Sequence, residues 1–166
     1  MKKTFLVITG AIILIMIGVI FIALNKKDGE LDYSEITLYY YNPSLDADES
    51  NNILCSRKGL APVKRTAPLS ENYIENTISQ LLKGELTETE RAQGITTEYP
   101  LDDLALKNVS LNSQSGLLKL EFDDPKNKTS GGSCRVGILW FQIEATAKQF
   151  SDVKDVIFSP EWLFQP

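Results

Sequence analysis

Chemistry in this chain would have to come from carboxylates, cysteines and hydroxyls, because its 166 residues include no histidine. That removes Ser-His and Cys-His nucleophiles and histidine-ligated metals together. Glu98 with Asp102 or Asp103 could in principle form a carboxylate pair for glycoside hydrolysis. Nothing in the sequence fixes their separation, so no catalytic residue is expected. Glu121, Asp123 and Asp124 could offer oxygens to calcium, but the EF-hand loop pattern is absent and no metal or other cofactor is expected. Cys55 and Cys134 have no CxxC partners, which argues against zinc and thioredoxin-like chemistry. They are either two buried thiols or, if the domain lies outside the cytoplasm, a disulfide. A bridge closing so long a loop would stabilise by roughly 4–5 kcal/mol on the chain-entropy account.

With chemistry thin, recognition becomes the expected role. Tyr39 and Tyr41 alternate onto the less apolar face of a predicted strand, where exposed aromatics would serve as interface anchors. Lys64 and Arg65 are adjacent and would point to opposite faces of a second extended segment, where they could meet an anionic partner. These four residues form the candidate interaction surface. The tail aromatics Trp162 and Phe164 would either cap the core or touch a partner.

The strongest positional signal lies at the N-terminus. Residues 4–24 carry no charge and are flanked by Lys2 and Lys3 before and Lys26 and Lys27 after. About 20 apolar residues at roughly 1.5 Å each span the hydrocarbon core of a bilayer. The run is too long for a cleaved signal peptide, lacks a small-x-small site, and is apolar on all sides, unlike a core helix. An uncleaved single-pass anchor is expected, with the N-terminus inside and the domain outside the cytoplasm. All 22 acidic residues lie at or beyond Asp28, with 13 of the 17 basic ones. That balance argues against nucleic acid and anionic headgroups as partners.

The elements that would position these residues follow from periodicity. Residues 1–27 read as anchor with basic flanks, 28–34 as linker, 35–159 as one domain and 160–166 as tail. Residues 35–41 alternate as a strand, and a second extended stretch lies between 54 and 67, where Pro62 and Pro68 forbid a helix interior. Ser70 would cap a helix over 71–83 whose stripe includes Tyr73, Ile74, Thr77, Ile78 and Leu81, ending at Gly84. Residues 87–93 suggest a short polar helix. Residues 104–111 and 117–122 predict a hairpin, followed by a helix from Ser133 and a strand over 153–159. Gly137 inside that helix suggests a close approach by another element. The expected fold class is α+β, in the order β-β-α-β-β-α-β, with two amphipathic helices on one face of a small mixed sheet.

In this order the segments resemble the GerMN domain of sporulation and spore-germination proteins. ITLYYYN resembles the opening strand, VKRTAP the basic strand ending in Pro, and LLKGELTETERAQG a helix end followed by an acidic segment and a second Gly. LKLEFD and GGSCRVGILWFQIEATAKQFSDVKDVIFS resemble the later strand and the closing helix–strand unit. The chain departs at Glu85, at Asp102-Asp103 and at Ser151, where the family often has Pro or a Pro-containing turn. The resemblance implies a paired Cys55 and Cys134 and a non-enzymatic assembly role by analogy. The expected protein is thus a membrane-anchored interaction module whose partners are other envelope proteins or itself. The alternative is a cell-wall or small-ligand sensor on the same anchor.

Overall fold

The computed structural model describes residues 32–165. The expected anchor lies outside the described residues, among which no helix is long and apolar enough to cross a membrane. The first strand, β1 (Tyr33–Tyr41), pairs antiparallel with β2 (Leu60–Pro68), in register from Tyr33 opposite Pro68 to Tyr41 opposite Leu60. The period-2 alternation of β1 sends Ile36, Leu38 and Tyr40 into the core.

Helix α1 (Tyr73–Leu82) follows, burying Ile74, Thr77, Ile78 and Leu81. It starts later than the sequence suggests. Ser70 does not cap it: the Ser70 carbonyl accepts the Tyr73 amide while the Ser70 hydroxyl accepts from Asn76 Nδ2 at 2.9 Å. Gly84 then takes φ +65°, and a Cβ there would come within 1.8 Å of the Tyr99 carbonyl oxygen. Both the left-handed turn and the close approach require glycine. The short helix α2 (Glu88–Ala92) opens with a capping box between Thr87 and Glu90.

Strands β3 (Ala105–Asn112) and β4 (Leu117–Asp123) form the expected hairpin, with an irregularity between Leu106 and Asn108. Helix α3 (Ser133–Ala147) then returns the chain to β5 (Asp155–Ser159), which lies parallel to β4. Gly137 is not at a crossing point: the nearest atoms to a Cβ there belong to Phe141 of the same helix, at 3.6 Å.

The α+β class holds, but the single sheet does not. Two small sheets form instead, β1-β2 and β3-β4-β5. The reason lies along the outer edge of β1, whose backbone groups are already bonded. The Thr37 amide donates to Gln149 Oε1 and the Thr37 carbonyl accepts from Gln149 Nε2, both at 2.8 Å. The Tyr39 amide donates to Thr146 Oγ1 at 3.0 Å. Tyr41 exchanges backbone bonds with Thr96. Side chains on and just beyond α3 therefore occupy the edge that another strand would need.

The helices α1 and α3 pack on each other; α1 also meets β1, β2 and β3, while α3 meets β1 and β5. Both sheets and both helices thus feed one apolar core. The tail divides its aromatics. Phe164 is buried against Phe122 and Phe158, while Trp162 is about half exposed.

Candidate interaction surface

The four residues proposed from sequence do not form one surface. Tyr41 is buried, and its hydroxyl donates to Asp46 Oδ2 at 2.5 Å. Its ring lies over Gly59, where a Cβ would come within 2.2 Å of it. Burial, then the Asp46 carboxylate, pushes the Tyr41 hydroxyl well above the ordinary tyrosine range. Tyr41 is therefore an internal brace and not an exposed anchor. Tyr39 is half-buried beside α3.

Lys64 and Arg65 do diverge, as adjacent strand residues must. Lys64 is exposed and pairs with Glu35 at 2.8 Å, both side chains open to water. Arg65 turns inward to a two-pronged bond with Glu90, at 2.7 and 2.8 Å, and also donates to the Glu85 carbonyl at 2.9 Å. The hydrogen bonds from Arg65, with help from Thr87, hold the Glu90 carboxyl at about 2. This clamp ties β2 to the acidic segment around α2, so Arg65 is not free to meet an anionic partner.

Of the carboxylates weighed for chemistry, Glu121 is half-buried on β4 and the others are occupied. Glu98 pairs with Arg135 at 2.5 Å. Asp102 and Asp103 both reach Lys126, at 2.7 and 2.6 Å. Asp123 faces Lys107 at 3.6 Å. Asp124 accepts the amides of Lys128 and Thr129 and the Thr129 hydroxyl, which organise the loop ahead of α3. Burial alone would raise its carboxyl, but those bonds hold it below the usual range.

Cys55 and Cys134 are joined in a disulfide across 79 positions. The bridge fastens the segment between β1 and β2 to the first turn of α3. That segment has more structure than its acidic, turn-rich composition implies. Asp46, fully buried, accepts from Tyr41, from the Ser56 amide and from the Ser56 hydroxyl, each at 2.5 Å. Burial would raise the Asp46 carboxyl, and these donors outweigh it and lower it. Beyond Asp46 the strands of a minimal hairpin meet. The Leu54 amide donates to the Asp46 carbonyl at 2.9 Å, Ala47 bridges Ile53, and the Asp48 amide donates to the Asn52 carbonyl at 2.9 Å. Asp48 Oδ1 closes the turn by accepting the Ser50 and Asn52 amides, both at 2.8 Å. Arg57 then ties the base to α3 through Glu144 and the Phe141 ring, 4.2 Å from its centroid.

This braced hairpin leaves Leu45, Ile53 and Leu54 exposed, at 56, 43 and 52%. Residues 42–52, acidic and rich in turn formers, read from composition as a surface loop, so sequence patterning does not reveal the hairpin. The available signal was Leu45 within a stretch rich in turn formers and the pair Ile53-Leu54 immediately before Cys55. A second surface feature is a groove of about 730 Å³ along β5, lined in part by Trp140, Ile157, Leu163, Lys119 and Glu161.

The Germane family, described as sporulation and spore germination, matches residues 37–161. The chain belongs to that family. As a GerMN domain it is similar in structure to the tandem GerMN domains of the sporulation protein GerM from Bacillus subtilis, with a TM-score of 0.52 and 19% identity. That match covers 82% of this chain and 43% of the tandem structure, so the chain spans less than half of that relative's length. The first GerMN domain of the same protein also matches, at 18% identity and a TM-score of 0.43, over 75% of this chain and 80% of that one. No curated protein matches the chain. The family's LLKG stretch now has a physical explanation: Gly84 passes the chain under the Tyr99 carbonyl, and Arg65 holds the acidic segment that follows.

Proposed function

We propose that this GerMN domain is a non-catalytic interaction module, held outside the cytoplasm by the uncharged run at residues 4–24 and contributing to an envelope protein assembly of the sporulation or germination type. The observation that supports this reading is where the charged chemistry of the domain is spent. Arg65, Glu90, Asp46 and Asp124 all work inward on shape, and the apolar side chains of a braced hairpin face outward. The disulfide fits an oxidising compartment. Other envelope proteins, or a second copy, are the proposed partners.

The test is topology together with capture. A membrane-impermeant protease added to intact cells or protoplasts is expected to digest the domain while sparing residues 1–27. Crosslinkers placed over the domain surface are expected to give discrete protein adducts. A domain protected from the protease, or bare of protein adducts at every position, overturns the proposal. The groove beside β5 supports a second reading, a cell-wall or small-ligand sensor. That reading predicts a rise in Tm with wall fragments, and Ile157→Asp in the groove is expected to abolish it.

A further inference from the structure

Resting on the reading of the domain as an interaction module, we propose that the hairpin of residues 42–56 is its docking knob, and that the partner is a protein presenting an apolar cleft rimmed by lysine or arginine. Three observations support this. The three residues lie close along the hairpin's backbone: the Leu54 amide donates to the carbonyl of Asp46, the residue after Leu45, and Ile53 bridges Ala47. All three are exposed, whereas the large aliphatic residues of the strands and helices are buried or half-buried, Ile157 of β5 being the exception at 43%.

The hairpin is also fixed before any partner arrives. Asp46 secures its neck through Tyr41 and Ser56, Asp48 closes its tip, and Cys55 is bonded to Cys134 at the start of α3. Three exposed aliphatic side chains on a rigid support need little further ordering on binding, which is the condition for a compact recognition element. An unbraced loop with the same residues would bury them against its own domain or pay an ordering entropy on contact.

Charge selects the occupant. Residues 42–56 contain no lysine or arginine, and the ionisable groups outside buried Asp46 are Asp48 and Glu49, with Glu49 exposed. At the base Arg57 is engaged by Glu144 and Phe141, and the exposed cation beside it, Lys58, is outnumbered by Asp46, Asp48 and Glu49. An anionic bilayer surface would repel this rim. A second copy is disfavoured for the same reason, because the chain beyond Lys27 carries 22 acidic against 13 basic side chains. A cleft with cationic edges complements both the apolar tip and its acidic rim.

The experiment uses the full chain in its native membrane, with a photoreactive residue at 45, 53 or 54, and separately at 64 or 107. The expected result is one protein adduct from the three hairpin positions, identified by mass spectrometry. That protein, purified, should bind the full chain with a Kd that rises with salt. Leu45→Asp with Leu54→Asp should weaken binding at least tenfold at unchanged Tm. If that pair lowers Tm, Glu49→Lys decides, and should weaken binding several-fold and flatten its salt dependence. Adducts from 64 or 107 alone overturn the knob and leave the interaction module standing. A lipid adduct or a self-adduct from the hairpin overturns the assigned partner. No adduct from any position overturns the module reading as well.

Discussion

Glu90 carries two structural duties at once, and they can be separated. Its carboxylate accepts the Thr87 amide in the capping box of α2 and receives both prongs of Arg65. Glu90→Gln keeps an acceptor for the cap and removes the charge. It is expected to destabilise by about 1–2 kcal/mol at pH 7. The folded-state carboxyl sits at about 2, below its ordinary value. The stability it supplies is therefore complete above roughly pH 4.5 and is lost as pH falls through about 2. The difference between wild type and variant should shrink across that window, which chemical denaturation at a series of pH values would show. A difference that stays constant from pH 5 to pH 2 would place the effect elsewhere. None of this was legible in the sequence beyond the adjacency of Lys64 and Arg65. Alternation predicts that the two diverge, but not which one turns inward. That choice depends on an acidic segment some 25 positions later folding back to meet β2.

At the level of elements, the strands and helices followed their periodicity, and the sheet pairing did not. The hairpin of β3 and β4, the two amphipathic helices and the final strand are local patterns, so sequence spacing reveals them. The separation into two sheets depends on Thr146 and Gln149, polar residues at the end of the α3 region that finish the hydrogen bonding of β1. A polar residue beside an apolar stripe reads as solvated, yet Thr146 and Gln142 are fully buried. Gln142 accepts from the Thr97 hydroxyl and donates to the Ile138 carbonyl. Thr146→Val keeps the shape of the side chain and removes the acceptor from the Tyr39 amide. It is expected to cost about 1–3 kcal/mol, the penalty for leaving a buried donor unmet. Urea denaturation measures this directly, and Thr146→Ser should recover most of it. A Val variant as stable as wild type would show that the Tyr39 amide finds another acceptor.

The whole domain is closed by a single covalent tie between its first connection and its last helix. Replacing both Cys55 and Cys134 with Ser is expected to cost about 4 kcal/mol by the loop-entropy account, and to lower Tm accordingly. Thermal denaturation with and without reductant tests this, and equal Tm values would contradict it. The same substitution should leave the two sheets intact, because their pairing does not run through the bridge. The bonding of α3 side chains to β1 has a further consequence in time. An amide released only when a neighbouring helix departs exchanges its proton only in the fraction of time that the helix is away. The Thr37 and Tyr39 amides are such reporters, since their acceptors are Gln149 and Thr146. Deuterium uptake at two positions of the first strand would therefore gauge the free energy of opening a helix end more than a hundred residues away in sequence.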